Sequence, residues 1–200
     1  MKLRSKHIIY VAIGILLIIV LYALKNTAYF FRAGAFVVSF VVFWMADTLL
    51  GMKFRNRHYL IFIFIATTGI LFSSLYYVYP SYDKILHFSN PILFSILIFY
   101  LVNKVDGISF PVKLFLTFSI IVSFLALFEL IEFGLDKLYD FKLQGVWIRD
   151  ITGASKIQLI MDRNDDTMID LSLGALGVVC FAIGKTIEFY FKKLKNKKSK

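Results

Sequence analysis

Long apolar runs separated by short polar stretches dominate this chain, and the runs lack the polar face that a soluble helix or strand repeats every few residues. Six of them suffice to cross about 30 Å of hydrocarbon. They lie at 7–24, 28–50, 58–79, 87–103, 111–133 and 167–190. The fourth is short and opens on the polar run His87-Phe88-Ser89-Asn90-Pro91. Pro91 there suits the first turn of a helix, where its missing N–H costs little. The pattern predicts an all-α fold, a polytopic membrane bundle of about six transmembrane helices. It forms one domain over 1–190, followed by a basic cytoplasmic tail at 191–200.

Charge orients the bundle. Basic residues gather at Lys2, Arg4 and Lys6, at Lys53, Arg55 and Arg57, at Lys104 and Lys113, and in the tail from Lys192 to Lys200. With six spans these groups all fall on one side, so both termini are expected in the cytoplasm. No small-residue cleavage site follows the first run, which reads as a retained helix and not a removed signal. The opposite side receives Lys25, the loop at 80–86 and a long polar loop at about 134–166, and these segments hold most of the acids. Tyr76, Tyr77, Tyr79 and Tyr82 suit an aromatic belt at that outer interface.

Composition agrees with the pattern. A hydrophobic share of 59% and a mean hydropathy of +0.75 exceed what a soluble domain of this length carries. The net charge of +10 sits at the chain ends and in one short loop, which is the signature of membrane orientation and argues against a nucleic-acid partner. The basic tail is placed to touch anionic lipid. One cysteine, Cys180, excludes an intrachain disulfide and reads as a buried, inert thiol. Phosphate-loop, nucleophile-elbow and His-Glu-x-x-His motifs are absent from the sequence.

Against this background the acids stand out, because ionisable groups at a membrane segment are costly to keep. Asp83 and His87 are four residues apart and share a helical face, so they can hold one ion, or Asp83 can orient the imidazole. Glu129, Glu132 and Asp136 fall on one stripe of an otherwise apolar helix, where like charges require compensation by a cation, a shared proton or basic neighbours. Asp166 and Asp170 again share a face. Asp166 suits a helix cap, whereas Asp170 lies a turn deeper than capping explains. The expected ligand pool is Glu129, Glu132, Asp166 and Asp170, with His87 and Asp83 as catalytic pair. Carboxylates with one imidazole suit a divalent cation such as Mg²⁺, Mn²⁺, Ca²⁺ or Zn²⁺. Arg32 and Lys84 are candidates to hold an anionic headgroup or phosphate, Arg32 also being placed to snorkel. Asp47 with Trp44 is expected to mark the inner interface, His58 to be solvated, and Gly174 and Gly177 to permit close helix packing.

The order Tyr82-Asp83-x-x-x-His87-Phe88, Glu129-x-x-Glu132-Phe133, Gln144-Gly145 and Asp166-Thr167-x-x-Asp170 with Gly174 and Gly177 resembles the YjdF-like family of bacterial inner-membrane proteins, itself similar to the VanZ-like proteins. The resemblance covers roughly residues 75–185. It implies a multi-span helical bundle in the cytoplasmic membrane of a prokaryote and supplies no reaction. About twenty residues separate Gly145 from Asp166, more than the family's usual spacing, and Asp166 and Asp170 rather than Asp150 are matched to its acidic stretch.

Two functional readings follow. In one, an outward-facing carboxylate–histidine site, with or without a divalent metal, hydrolyses a lipid-linked or envelope substrate. In the other, a non-enzymatic envelope factor binds lipid headgroups, or a carrier couples to protons or ions. Acids clustered at one end, without an internal repeat, lean against a carrier, whose coupling acids usually sit near the midplane.

Overall fold

The computed structural model describes residues 15, 27–149 and 157–198. The first apolar run apart from Ile15, the basic residues before it, Lys25, Asp150 and the last two residues lie outside the described residues. The chain divides into two compact units, Met1–Ser74 and Leu75–Lys200.

In the first unit, helix α1 (Thr27–Leu49) packs on α2 (Asn56–Ala66) and on a π-helical turn, Thr67–Leu71. The expected span at 58–79 is therefore not one regular helix. It passes from α2 through the π turn into a 3₁₀ stretch, Ser73–Tyr77. Thr67, Thr68 and Gly69 are poor helix formers, and hydroxyls here compete for the helix carbonyls. The Thr68 hydroxyl donates to the carbonyls of Phe64 at 3.0 Å and Ile65 at 3.1 Å, and Ser73 donates to Ile70 at 2.9 Å. One expectation fails in this unit, the solvated His58, and Asp47 has a structural role that the sequence did not show. Asp47 is buried and accepts from the Phe54 amide at 2.8 Å and the Tyr59 hydroxyl at 2.5 Å, tying α1 to the turn and to α2. His58 is 0% exposed, its Nδ1 accepting from the Arg55 amide at 3.0 Å as a helix-entry contact.

The second unit holds α3 (Ser81–Val102), α4 (Phe110–Tyr139), strands β1 (Val146–Arg149) and β2 (Ile157–Met161), and α5 (Arg163–Lys198). The three helices pack on one another. Each buries a stripe at helical period: Thr117, Ile121, Glu129 and Asp136 on α4, and Asp166, Asp170, Val178 and Phe181 on α5. Glycines let α5 approach closely. A Cβ at Gly177 would collide with the backbone carbonyl of Phe88 on α3, and one at Gly174 with the side chain of Leu125 on α4. Cys180 is exposed, on the face of α5 turned away from that stripe, which corrects the expected burial.

Helix α3 begins earlier than the hydropathy suggested, at Ser81, so that Asp83 sits in its first turn and Pro91 lies inside it, buried. Pro91 cannot donate to the carbonyl of His87, which opens the helix ladder beside the site. The segment expected as a loop at 134–166 is largely structured: α4 runs on to Tyr139, and β1 and β2 pair antiparallel with Trp147 opposite Leu159. This hairpin is the one departure from an all-α fold among the described residues. Four helices among them are long and apolar enough to cross a membrane: Phe30–Leu49, Ser81–Val102, Phe110–Tyr139 and Arg163–Asn196.

Candidate functional site

The acids that helical spacing put on single faces meet at one end of the α3–α4–α5 bundle. Lys84 is their hub. Its ammonium donates to both oxygens of Asp170 at 2.8 Å, to Asp83 at 3.2 Å and to Oδ1 of Asp166. Asp166 and Asp170 are 3% and 1% exposed, a depth at which carboxylates need such partners.

His87 lies beside this hub. Its Nε2 is 3.5 Å from Asp83 and 4.0 Å from Asp170, and its Nδ1 is 3.9 Å from Glu129. These separations exceed hydrogen-bond length. Glu129 is 5% exposed, and its Oε1 finds no hydrogen-bond partner among the described residues. Asp83, His87 and Asp170 each offer a ligand atom, all within 4.8 Å of one another. Cation–ligand bonds of about 2.0–2.6 Å span such a triangle.

A loop from α4 to β1 closes over the cluster, anchored by acids. Both oxygens of Asp136 accept backbone N–H groups, from Leu143 at 2.8 Å and Gln144 at 3.0 Å. Oδ2 of Asp166 accepts from Gly145 at 2.7 Å. The Gln144 side-chain amide donates to Thr167 at 3.0 Å, and the Trp147 indole donates to the Gln144 carbonyl at 2.9 Å. The sharp path needs left-handed backbone at Asp140, Lys142 and Gly145. Gly145 suits its φ of +86°, and a Cβ there would also lie 2.8 Å from Leu159.

Between loop and cluster is a cavity of about 60 Å³, lined among others by Tyr76, Tyr77, Asp83, Glu132, Lys142 and Trp147. That volume admits a few waters or a small group.

The DUF2238 family, described as "Predicted membrane protein", matches residues 5–189. The chain belongs to this family. The YjdF-like resemblance falls within it. For this DUF2238 protein no curated relative and no solved structure matches.

Of the residues singled out by sequence, Asp83, Lys84, His87, Glu129, Asp166 and Asp170 come together, and Glu132 lines the cavity with Asp83. Arg32 lies half-buried on α1 in the first unit. Sequence reasoning saw Asp136 only as one more acid on the stripe and missed its hold on the loop. It also missed Tyr76 and Lys142 as cavity walls. Gln144-Gly145 between an acidic helix end and an aromatic residue was the available signal for the loop.

Proposed function

We propose that this protein binds a divalent cation at an outward-facing membrane-surface site through Asp83, His87 and Asp170, and hydrolyses a lipid-linked or envelope substrate there. The observation that carries the reading is that triangle of ligand atoms, with the buried, unpartnered Oε1 of Glu129 beside it. Five carboxylates, Asp83, Glu129, Glu132, Asp166 and Asp170, are offset by Lys84, His87 and, across the cavity, Lys142. An added cation would balance that excess. A bound cation would lower the pKa of its water and polarise a substrate oxygen. Glu129, within reach of His87, would serve as proton acceptor.

In this reading the chain makes six spans, both termini lie in the cytoplasm of a prokaryote, and the cluster faces outward because the basic loops face in. The partners are membrane lipids, and a relationship to VanZ-like proteins, part of the same proposal, would extend the reading to the cell envelope. Arg32, on α1 of the first unit, stays a candidate to hold an anionic headgroup.

Lys84 favours a second reading. Its ammonium already offsets Asp83, Asp166 and Asp170. The stripe continues inward to Asn90, whose buried Oδ1 also lacks a hydrogen-bond partner among the described residues. Such a stripe suits proton movement or headgroup binding without a metal.

Metal analysis of the detergent-purified protein separates the two. Near-stoichiometric divalent metal, lost in a His87→Ala/Asp170→Asn variant, supports the first. Absence of metal after Mn²⁺, Mg²⁺, Ca²⁺ and Zn²⁺ supplementation sinks it and leaves the second.

A further inference from the structure

The cation triangle accounts for Asp83 but not for the aromatic side chains around the neighbouring cavity, where Tyr76, Tyr77 and Trp147 line the walls together with Asp83 and Glu132. Aromatic faces beside carboxylates recognise organic ammonium groups: the ring quadrupole attracts the cation, and the carboxylate supplies the opposite charge. The chain carries such a cation itself. Lys142 lines the same cavity, and its Nζ stands 5.4 Å from the centroid of the Trp147 ring. Lys142 is held in left-handed backbone with φ 57°, an uncommon conformation for a non-glycine residue. The adjacent Leu143 and Gln144 amides are pinned to Asp136.

We infer that the cavity binds the ammonium end of an organic amine, primary or methylated, and that Lys142 is a tethered competitor resting on Trp147 in its absence. At about 60 Å³ the cavity takes an end group and leaves the rest of the ligand outside. A lipid headgroup and a soluble amine share this chemistry. The inference deepens the proposed function by naming a group the substrate carries. It rests on that reading for the reaction, but the binding step needs no metal.

The chain has two tryptophans, so a Trp44→Phe background leaves Trp147 as the sole indole reporter. Its fluorescence in detergent is titrated with choline chloride and with ethanolamine hydrochloride, against sodium chloride at equal ionic strength. The expected result is a saturable change with at least one amine and none with sodium. Lys142→Ala tightens the response about tenfold and Glu132→Gln weakens it by a similar factor, the size of one cation–π or charge contact. A response that merely follows ionic strength, or weaker binding in Lys142→Ala, overturns the inference. Circular dichroism checks folding, and should Glu132→Gln not fold, the loop variant Lys142→Ala decides alone. Competition by phosphatidylethanolamine nanodiscs, absent with phosphatidylglycerol, assigns the lipid source. Free amine bound without such competition assigns the soluble one, and both support the ammonium site. Metal content of the same sample keeps the two proposals apart, since amine binding in metal-free protein retains this one and removes the other.

Discussion

Asp166 holds Gly145 and Lys84 at once: one carboxylate oxygen accepts the Gly145 amide at 2.7 Å while the other receives the Lys84 ammonium. The loop over the cavity and the ionic hub beneath it thus share a single side chain. Any ligand that draws Lys84 away changes the charge that holds the loop.

Asp166→Asn is expected to break this sharing, because a neutral amide oxygen serves Gly145 or Lys84 poorly and not both. Removing one partner of a buried ion pair costs about 3–5 kcal/mol. A melting temperature in detergent lowered by several degrees, with faster hydrogen exchange at residues 143–147, is the expected pair of readouts. An unchanged melt would show that the hub is not structural.

Asp136→Ala should act on the loop alone. It strands the Leu143 and Gln144 amides, each at a cost of about 1–3 kcal/mol if they stay buried. Limited proteolysis is expected to cut in 140–145 while the helices survive. Protection equal to wild type would mean that the Gly145–Asp166 and Gln144–Thr167 contacts hold the loop without Asp136.

Lys84→Met removes the ammonium and leaves Asp83, Asp166 and Asp170 facing one another. Destabilisation at neutral pH is expected, with recovery on adding millimolar Mn²⁺ or Ca²⁺, since a divalent ion can take the vacated charge position. A variant that melts low and ignores divalent ions would count against a cation site.

Gly177→Ala and Gly174→Ala add the same methyl group but should differ. At Gly177 the new Cβ meets the carbonyl of Phe88, which cannot move without shifting α3, whereas at Gly174 it meets the tip of Leu125. Overpacking costs about 1–3 kcal/mol, the upper end expected for Gly177→Ala. Equal melting temperatures for the two would contradict the close α3–α5 contact.

The contrast between Asp170 and Lys84 shows what was legible in the sequence. Asp170 declared itself because an acid one turn inside an apolar helix has no local excuse, and the same periodicity placed Asp83, Glu129 and Asp166 on single faces. The sequence offers Lys84 only as a phosphate holder, because its buried partners Asp166 and Asp170 lie 82 and 86 residues away and no local pattern encodes that distance. Asp136 shows in the sequence only as a stripe position, because its partners are backbone amides of a loop whose path depends on three left-handed residues. Hydropathy located the helices yet could not resolve the change of winding at Thr67–Leu71, where apolar content continues while hydrogen bonding shifts. It also started α3 late, since the polar residues from Ser81 to Asn90 belong to the helix by virtue of the site they build.

Helix α5 runs unbroken through 36 residues, about 54 Å at 1.5 Å per residue, well beyond the hydrocarbon it would cross. It carries Asp166 and Asp170 near one end and Lys192, Lys193 and Lys195 near the other. A continuous α-helix is stiff in torsion, so the two ends form one lever. The rotation at which Asp170 meets Lys84 is set along this rod, where Gly174 and Gly177 seat it against Leu125 and Phe88.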